Sequence, residues 1–197
     1  MDREIKKLRE ELALISVKSY ERGLTSGAGG NISVRIKDKE LVVITASGIS
    51  FRDVTPQNLI VVDFDCRVVE GDLKPSKETK WHCGIYKYRP EIGCVFHSHS
   101  TAATAYSTKG LTVPLLTGPF EKNIGHHGVV PYAPAGSDEL AEYVITAYKN
   151  STERVLILSR HGAVATGPTL TDAFNLADLL EDAAKTAIFA DLIGRKN

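Results

Sequence analysis

A chain of 197 residues, 43% apolar and 24% charged, has the makeup of an ordinary globular protein; it is long enough for one domain and short for two. Lys plus Arg and Asp plus Glu both number 24, so the formal net charge is zero, which excludes broad phosphate attraction to nucleic acid and adhesion to a membrane through a polybasic surface. Such a chain buries about 70% of its unfolded surface and needs no disulfide to fold.

The opening Met1-Asp2-Arg3-Glu4 is charged with no apolar run behind it, and no 18-residue apolar stretch follows anywhere. Cys66, Cys83 and Cys94 form no CxxC pair, which leaves out a zinc ribbon and a thioredoxin-type motif. Cys94 sits in the run Ile92-Gly93-Cys94-Val95-Phe96 and reads as a small buried hydrophobe. The expectation is a soluble protein of a reducing cytoplasm.

Ile5, Leu8, Leu12 and Ile15 repeat at helical spacing and predict an amphipathic helix over 3–22, stopped by Gly23. The glycine-rich Thr25-Ser26-Gly27-Ala28-Gly29-Gly30-Asn31 fits neither a helix nor a strand interior. Ile32–Ile36 alternates and Leu41–Thr45 returns as a more buried strand, a predicted hairpin; Leu59–Asp63 is a third strand and Val68-Val69 touches a fourth. Residues 77–88 turn helical and stop at Arg89-Pro90. A buried strand over 93–98 leads into a small-residue helix, 101–108. The proline- and glycine-rich stretch 109–136 offers only short strands near Val113 and Val129. Ser137 caps a helix over 138–150, Val155–Leu158 is a core strand, Ala163–Ala165 a short one, and a helix over 171–193 closes the chain. Strands and helices mix without regular βαβ alternation, which predicts a three-layer α/β/α sandwich around a mostly antiparallel central sheet, one domain spanning 1–197.

His97-Ser98-His99 is the strongest chemical signal. In an extended backbone, residues i and i+2 project from one face, so both imidazoles can reach one metal ion. His161 follows another core strand, and three neutral imidazoles with an open fourth position describe a catalytic rather than a structural zinc site. Glu78, at the start of the 77–88 helix, reads either as a partner of the helix dipole or as the proton acceptor such a site needs. Gly27–Asn31, Thr45-Ala46-Ser47-Gly48 and Ser76-Lys77 each look like anion-binding backbone. Neither GxxxxGK[ST] nor GxGxxG occurs. His126 and His127 read as loop residues near the site mouth or a subunit contact, and His82 as a packing residue inside its helix.

Gly30-Asn31-Ile32-Ser33, Thr45-Ala46-Ser47-Gly48, Pro75-Ser76-Lys77-Glu78, His97-Ser98-His99, Val130-Pro131-Tyr132-Ala133-Pro134 and Arg160-His161-Gly162, in this order, make the chain resemble the class II aldolase/adducin family along nearly its whole length. The resemblance implies that His97, His99 and His161 hold one zinc ion per subunit, with another divalent metal possible in its place, and that Glu78 is the catalytic acid/base. It implies a substrate-phosphate pocket of Asn31, Ser47, Gly48 and Ser76 shaped by Gly30. Lys77 stands where a family aldolase carries serine and can add its backbone N–H and its charge. The implied reaction is reversible cleavage of a ketose 1-phosphate, of the L-fuculose 1-phosphate type, to dihydroxyacetone phosphate and an aldehyde through a metal-stabilised enediolate. The implied assembly is a homotetramer with sites at subunit interfaces, acting on a small phosphorylated sugar with no nucleic-acid or membrane partner. Epimerase, dehydratase and decarboxylase chemistry of the same family stays open, as does a non-catalytic adducin-like oligomerisation module. The stretch Val113-Pro114-Leu115-Leu116-Thr117-Gly118 lacks the tyrosine that an aldolase of the family contributes across the interface, leaving Glu121, His126 and His127 as candidate second proton donors. It also lacks the His-Ala-Asp signature of the epimerase.

Overall fold

Period-two alternation divides the strand residues between two faces of one sheet. Val34, Val43, Leu59, Val61 and Phe96 join one apolar cluster, while Val42, Ile44, Ile60, Val62 and Val95 join another. Because both faces carry large apolar side chains, both must be covered by helices, which gives three layers. The computed structural model describes residues 3–194, so Met1, Asp2 and residues 195–197 lie outside it.

The elements run α1 (Arg3–Glu21), β1 (Asn31–Arg35), β2 (Leu41–Thr45), β3 (Leu59–Asp63), β4 (Val68–Glu70), α2 (Thr79–Tyr88), β5 (Cys94–Ser98), α3 (Thr101–Thr108), α4 (Gly118–Ile124), β6 (Gly128–Val130), α5 (Asp138–Lys149), β7 (Val155–Leu158), β8 (Gly162–Gly167) and α6 (Leu170–Gly194). The eight strands lie in the order β4-β3-β2-β1-β5-β8-β7-β6. Every neighbouring pair is antiparallel except β6 and β7, which run parallel, so the sheet is mixed with an antiparallel majority. Helices α1, α3, α4 and α6 cover one face, and α2 and α5 cover the other. Each large side chain fully withdrawn from water here contributes about 1.5–3 kcal/mol. No described helix is long and apolar enough to cross a membrane.

Most boundaries agree with the sequence within two residues. The expected strand near Val113 does not form. Pro114 cannot donate to a ladder, and the Val113 N–H donates instead to His127 Nε2 at 3.0 Å, so an imidazole takes the place of a partner strand. Helix α4 was not expected: Pro119 occupies its first turn, where a missing N–H costs nothing, and Gly125 ends it at φ 69°. Strand β8 is longer than Ala163–Ala165 because Gly162 and Gly167 fit beneath neighbouring backbone where a larger residue would collide.

Candidate active site

The order β1-β5-β8 brings the chemistry together. Asn31, the first residue of β1, pairs with His97 on β5, and His97 in turn pairs with Val164 on β8. Directly opposed residues of antiparallel strands share a face, so Asn31 and His97 project the same way. His99 follows two residues later on that side. His161 arrives through the β7–β8 turn, where Arg160 adopts a left-handed conformation, φ 56°, with its N–H on Ser107 O at 2.8 Å.

The three imidazoles meet with ring centroids 4.7–5.0 Å apart, and one nitrogen from each lies within 4.8 Å of the others. His97 Nδ1 donates to Ala163 O at 2.9 Å, which leaves its Nε2 as a lone pair facing His99 Nε2, also at 2.9 Å. Burial, reinforced by its two histidine neighbours, holds the His97 pKa well below its ordinary value; burial and then His161 lower that of His99 to about 4. Both rings are therefore neutral near pH 7, the form that ligates metal.

Glu78 occupies the cap position of α2 but makes no capping hydrogen bond. Its side chain turns into the site instead: Oε2 accepts from Asn31 Nδ2 at 2.8 Å and lies 3.3 Å from His97 Nε2, while Oε1 lies 3.6 Å from His161 Nε2. The carboxylate thus faces Asn31 and the imidazoles rather than the N–H groups of its own helix. Glu78 Oε1 and His161 Nδ1 are both buried without a hydrogen-bond partner. Three imidazole nitrogens and an unsatisfied carboxylate oxygen converging on one point are a donor set that fits a divalent metal ion.

These groups open into a cleft of about 280 Å³. All six residues expected around the phosphate, Gly30, Asn31, Ser47, Gly48, Ser76 and Lys77, line it with Glu78, His99 and His161; His97 is sealed behind them. A single bridge between Ala46 and Pro75 lays the Thr45–Gly48 turn beside the α2 entry, with Ser76 N–H on Thr45 O. Gly30 runs at φ 75°, and a Cβ there would sit 2.8 Å from His97 O, so only glycine lets this loop lie against the histidine strand. Ser76 and Lys77 precede the helix: α2 starts at Thr79, and Ser76 Oγ accepts from Glu78 N–H at 3.3 Å.

Other expectations fall outside the cleft. Glu121, His126 and His127 line a separate depression with Thr112 and Leu115. His126 pairs with Glu153 at 2.6 Å, and His127 is buried holding the Val113 loop. Within one chain, none of the three stands beside Glu78. A wider groove of about 830 Å³ between α4 and the α5–β7 turn contains no trio of potential ligands among the described residues.

His82 is the packing residue the sequence suggested, and its hydrogen-bond partners are what sequence reasoning did not find. It is fully buried and stacked on Trp81, yet both ring nitrogens are engaged, Nδ1 with Ser33 Oγ at 2.7 Å and Nε2 with Asn31 Oδ1. A signal was present: Glu78, His82 and Tyr86 fall on one helix face at i, i+4 and i+8, opposite Asn31 and Ser33, which share a strand face.

With this geometry in view, comparison with known proteins is decisive for the family. Residues 10–188 match the family described as Class II Aldolase and Adducin N-terminal domain. An L-fuculose phosphate aldolase from Methanococcus vannielii is 37% identical over 166 residues, covering 84% of this chain and 87% of that protein. A 3-oxo-tetronate 4-phosphate decarboxylase from Haemophilus influenzae is 34% identical over 193 residues, 95% of this chain and 89% of the other. Among solved structures, an L-fuculose 1-phosphate aldolase superposes with a TM-score of 0.87 at 32% identity, covering 98% of this chain and 89% of that one. The chain belongs to the class II aldolase and adducin N-terminal domain family.

Proposed function

We propose that this protein, one class II aldolase-like domain over 1–197, is a zinc-dependent lyase that reversibly cleaves a ketose 1-phosphate to dihydroxyacetone phosphate and an aldehyde. The observation that carries the reading is Glu78, buried with a free carboxylate oxygen beside three converging imidazoles at the floor of a cleft of about 280 Å³. His97, His99 and His161 would hold the zinc ion, which when bound would supply Lewis-acid stabilisation of negative charge at a carbonyl oxygen. Glu78 moves the proton at the carbon that becomes the terminus of dihydroxyacetone phosphate. Backbone N–H groups around Gly30 and Gly48, with the hydroxyls of Ser47 and Ser76, bind the phosphate, and Lys77 adds charge at the rim. Asn31 already gives one N–H to Glu78, so only its second N–H is left for the phosphate.

We place the assembly as a homotetramer, a reading supported by exposed Phe189, Leu192 and Ile193 at the end of α6 and tested by light scattering. Identity of 34% with a phosphate-sugar decarboxylase over 95% of the chain favours one second reading, release of CO2 from a 3-oxo acid phosphate in the same cleft. The experiment is deuterium exchange into dihydroxyacetone phosphate, followed by NMR with and without chelator. Chelator-sensitive exchange supports the aldolase. No exchange by metal-loaded protein refutes it, and CO2 release from a 3-oxo acid phosphate then identifies the second reading.

A further inference from the structure

The polar side chains buried beneath the cleft form one chain of hydrogen bonds, Glu78–Asn31–His82–Ser33–Tyr86. Glu78 Oε2 and Asn31 Nδ2 are 2.8 Å apart, Asn31 Oδ1 meets His82 Nε2, His82 Nδ1 and Ser33 Oγ are 2.7 Å apart, and Ser33 Oγ and Tyr86 Oη 2.8 Å. Only one arrangement of hydrogens satisfies all of them with Glu78 ionised. Tyr86 Oη accepts from Val95 N–H at 3.0 Å and donates its single hydrogen to Ser33 Oγ at 2.8 Å, with the Ser33 carbonyl oxygen sharing it from the same distance. The Ser33 hydroxyl hydrogen is then free for His82 Nδ1, which accepts it, because ionised Glu78 takes the Asn31 NH2 and leaves Oδ1 to be met by a proton on Nε2. The His82 proton therefore sits on Nε2 and is donated to Asn31 Oδ1. That fixes the amide with its oxygen toward His82 and its NH2 toward Glu78. A flipped amide would set an oxygen against a carboxylate and an NH2 against an N–H.

We infer that His82 is a positioning residue: by donating from Nε2 to Asn31 Oδ1, it locks the Asn31 amide in the orientation that gives Glu78 its N–H donor. The inference rests on the reading of Glu78 as the acid/base. An amide between two titratable groups transmits orientation and no proton. The lock leaves Glu78 Oε1, the oxygen nearest His161, as the unencumbered one.

The test uses the metal-loaded full chain and dihydroxyacetone phosphate. Exchange turnover is normalised to bound metal and KM is measured beside it. His82→Phe is expected to lower turnover about 10- to 100-fold, the loss of one hydrogen bond's control over a charged group. His82→Gln, whose amide can donate to Asn31 Oδ1, is expected to recover to within about 3-fold of the parent. A structural role alone would lower the loaded fraction without changing turnover per metal, and would not be rescued by Gln. Because His82→Phe buries a different shape, Ser33→Ala provides a second route: Tyr86 keeps the residue-33 carbonyl, Nδ1 loses its donor, and turnover falls about 3- to 10-fold. Long-range 1H–15N correlation spectra read the His82 tautomer without any reaction, and Nε2–H is expected. Wild-type turnover per metal in a folded His82→Phe, or an Nδ1–H tautomer in the parent, overturns the inference. If the parent catalyses no exchange, the acid/base reading fails, and the tautomer alone decides whether His82 orients Asn31.

Discussion

Replacing Glu78 by Gln should move activity and stability in opposite directions. Glu78 is 6% exposed and has one oxygen hydrogen-bonded to Asn31 and the other bare, with the imidazoles of His97 and His161 beyond. An unsatisfied buried polar atom costs about 1–3 kcal/mol, more when charged. Gln keeps the shape, keeps an acceptor for Asn31, and turns an NH2 toward the His161 Nε2 that now faces Oε1 at 3.6 Å. Removing the bare oxygen should stabilise the metal-free protein by about 1–2 kcal/mol, which at about 2–4 °C per kcal/mol for a domain of this size raises Tm by roughly 2–8 °C. Loss of the proton acceptor should lower exchange into dihydroxyacetone phosphate by about 10²–10⁴-fold. Differential scanning calorimetry of metal-free protein and NMR exchange of loaded protein measure the two arms. A Glu78→Gln protein that is inactive and also less stable would make Glu78 a structural prop; one that exchanges normally would remove it from the chemistry.

Gly30→Ala should destabilise the fold by about 2–4 kcal/mol, since it adds a backbone collision to a left-handed φ. Gly48→Ala, at φ 79° with nothing within 4 Å of its Cβ, should cost only about 1–2 kcal/mol, and equal midpoint shifts in urea would refute the close-approach argument. Lys77→Ser should raise KM for dihydroxyacetone phosphate about 3- to 10-fold with turnover within about 2-fold, the mark of uniform binding; a turnover loss without a KM change would contradict its place at the rim. Burial lowers the His82 pKa to about 3, against about 6.5 unfolded. The unfolded chain therefore takes up a proton that the folded one refuses, so the stability is full above about pH 6.5 and declines as pH falls toward 3. Between pH 7.5 and 4.5 the parent should lose about 3 kcal/mol more than His82→Gln in urea unfolding, and equal losses would refute it.

The layers were legible because the strands alternate and both their faces are apolar, which demands helices on two sides. The three histidines were legible for a related reason: each sits at or just beyond a strand end, and His97 and His99 at i and i+2 share a face. What the sequence did not reveal depends on partners brought together across the sheet. The polar face of α2, Glu78, His82 and Tyr86, means little until β1 supplies Asn31 and Ser33 opposite it. Val113 reads as a strand until His127, 14 residues away, satisfies its N–H. Likewise α3, with no capping side chain of its own at Ser100, takes its cap from Glu181 on α6, which accepts from the N–H groups of Ala102 and Ala103. These are contacts between distant segments, and local pattern does not encode them.

The central claim is that His97, His99 and His161 hold one divalent metal beside Glu78. The most direct measurement is an anomalous difference map from crystals grown with zinc, at wavelengths either side of its absorption edge. The account predicts one peak per chain, about 2.0–2.1 Å from a nitrogen of each imidazole, lost when His99 and His161 are replaced by Ala. A protein that folds and crystallises with no peak in the cleft, or with zinc bound elsewhere, would contradict it.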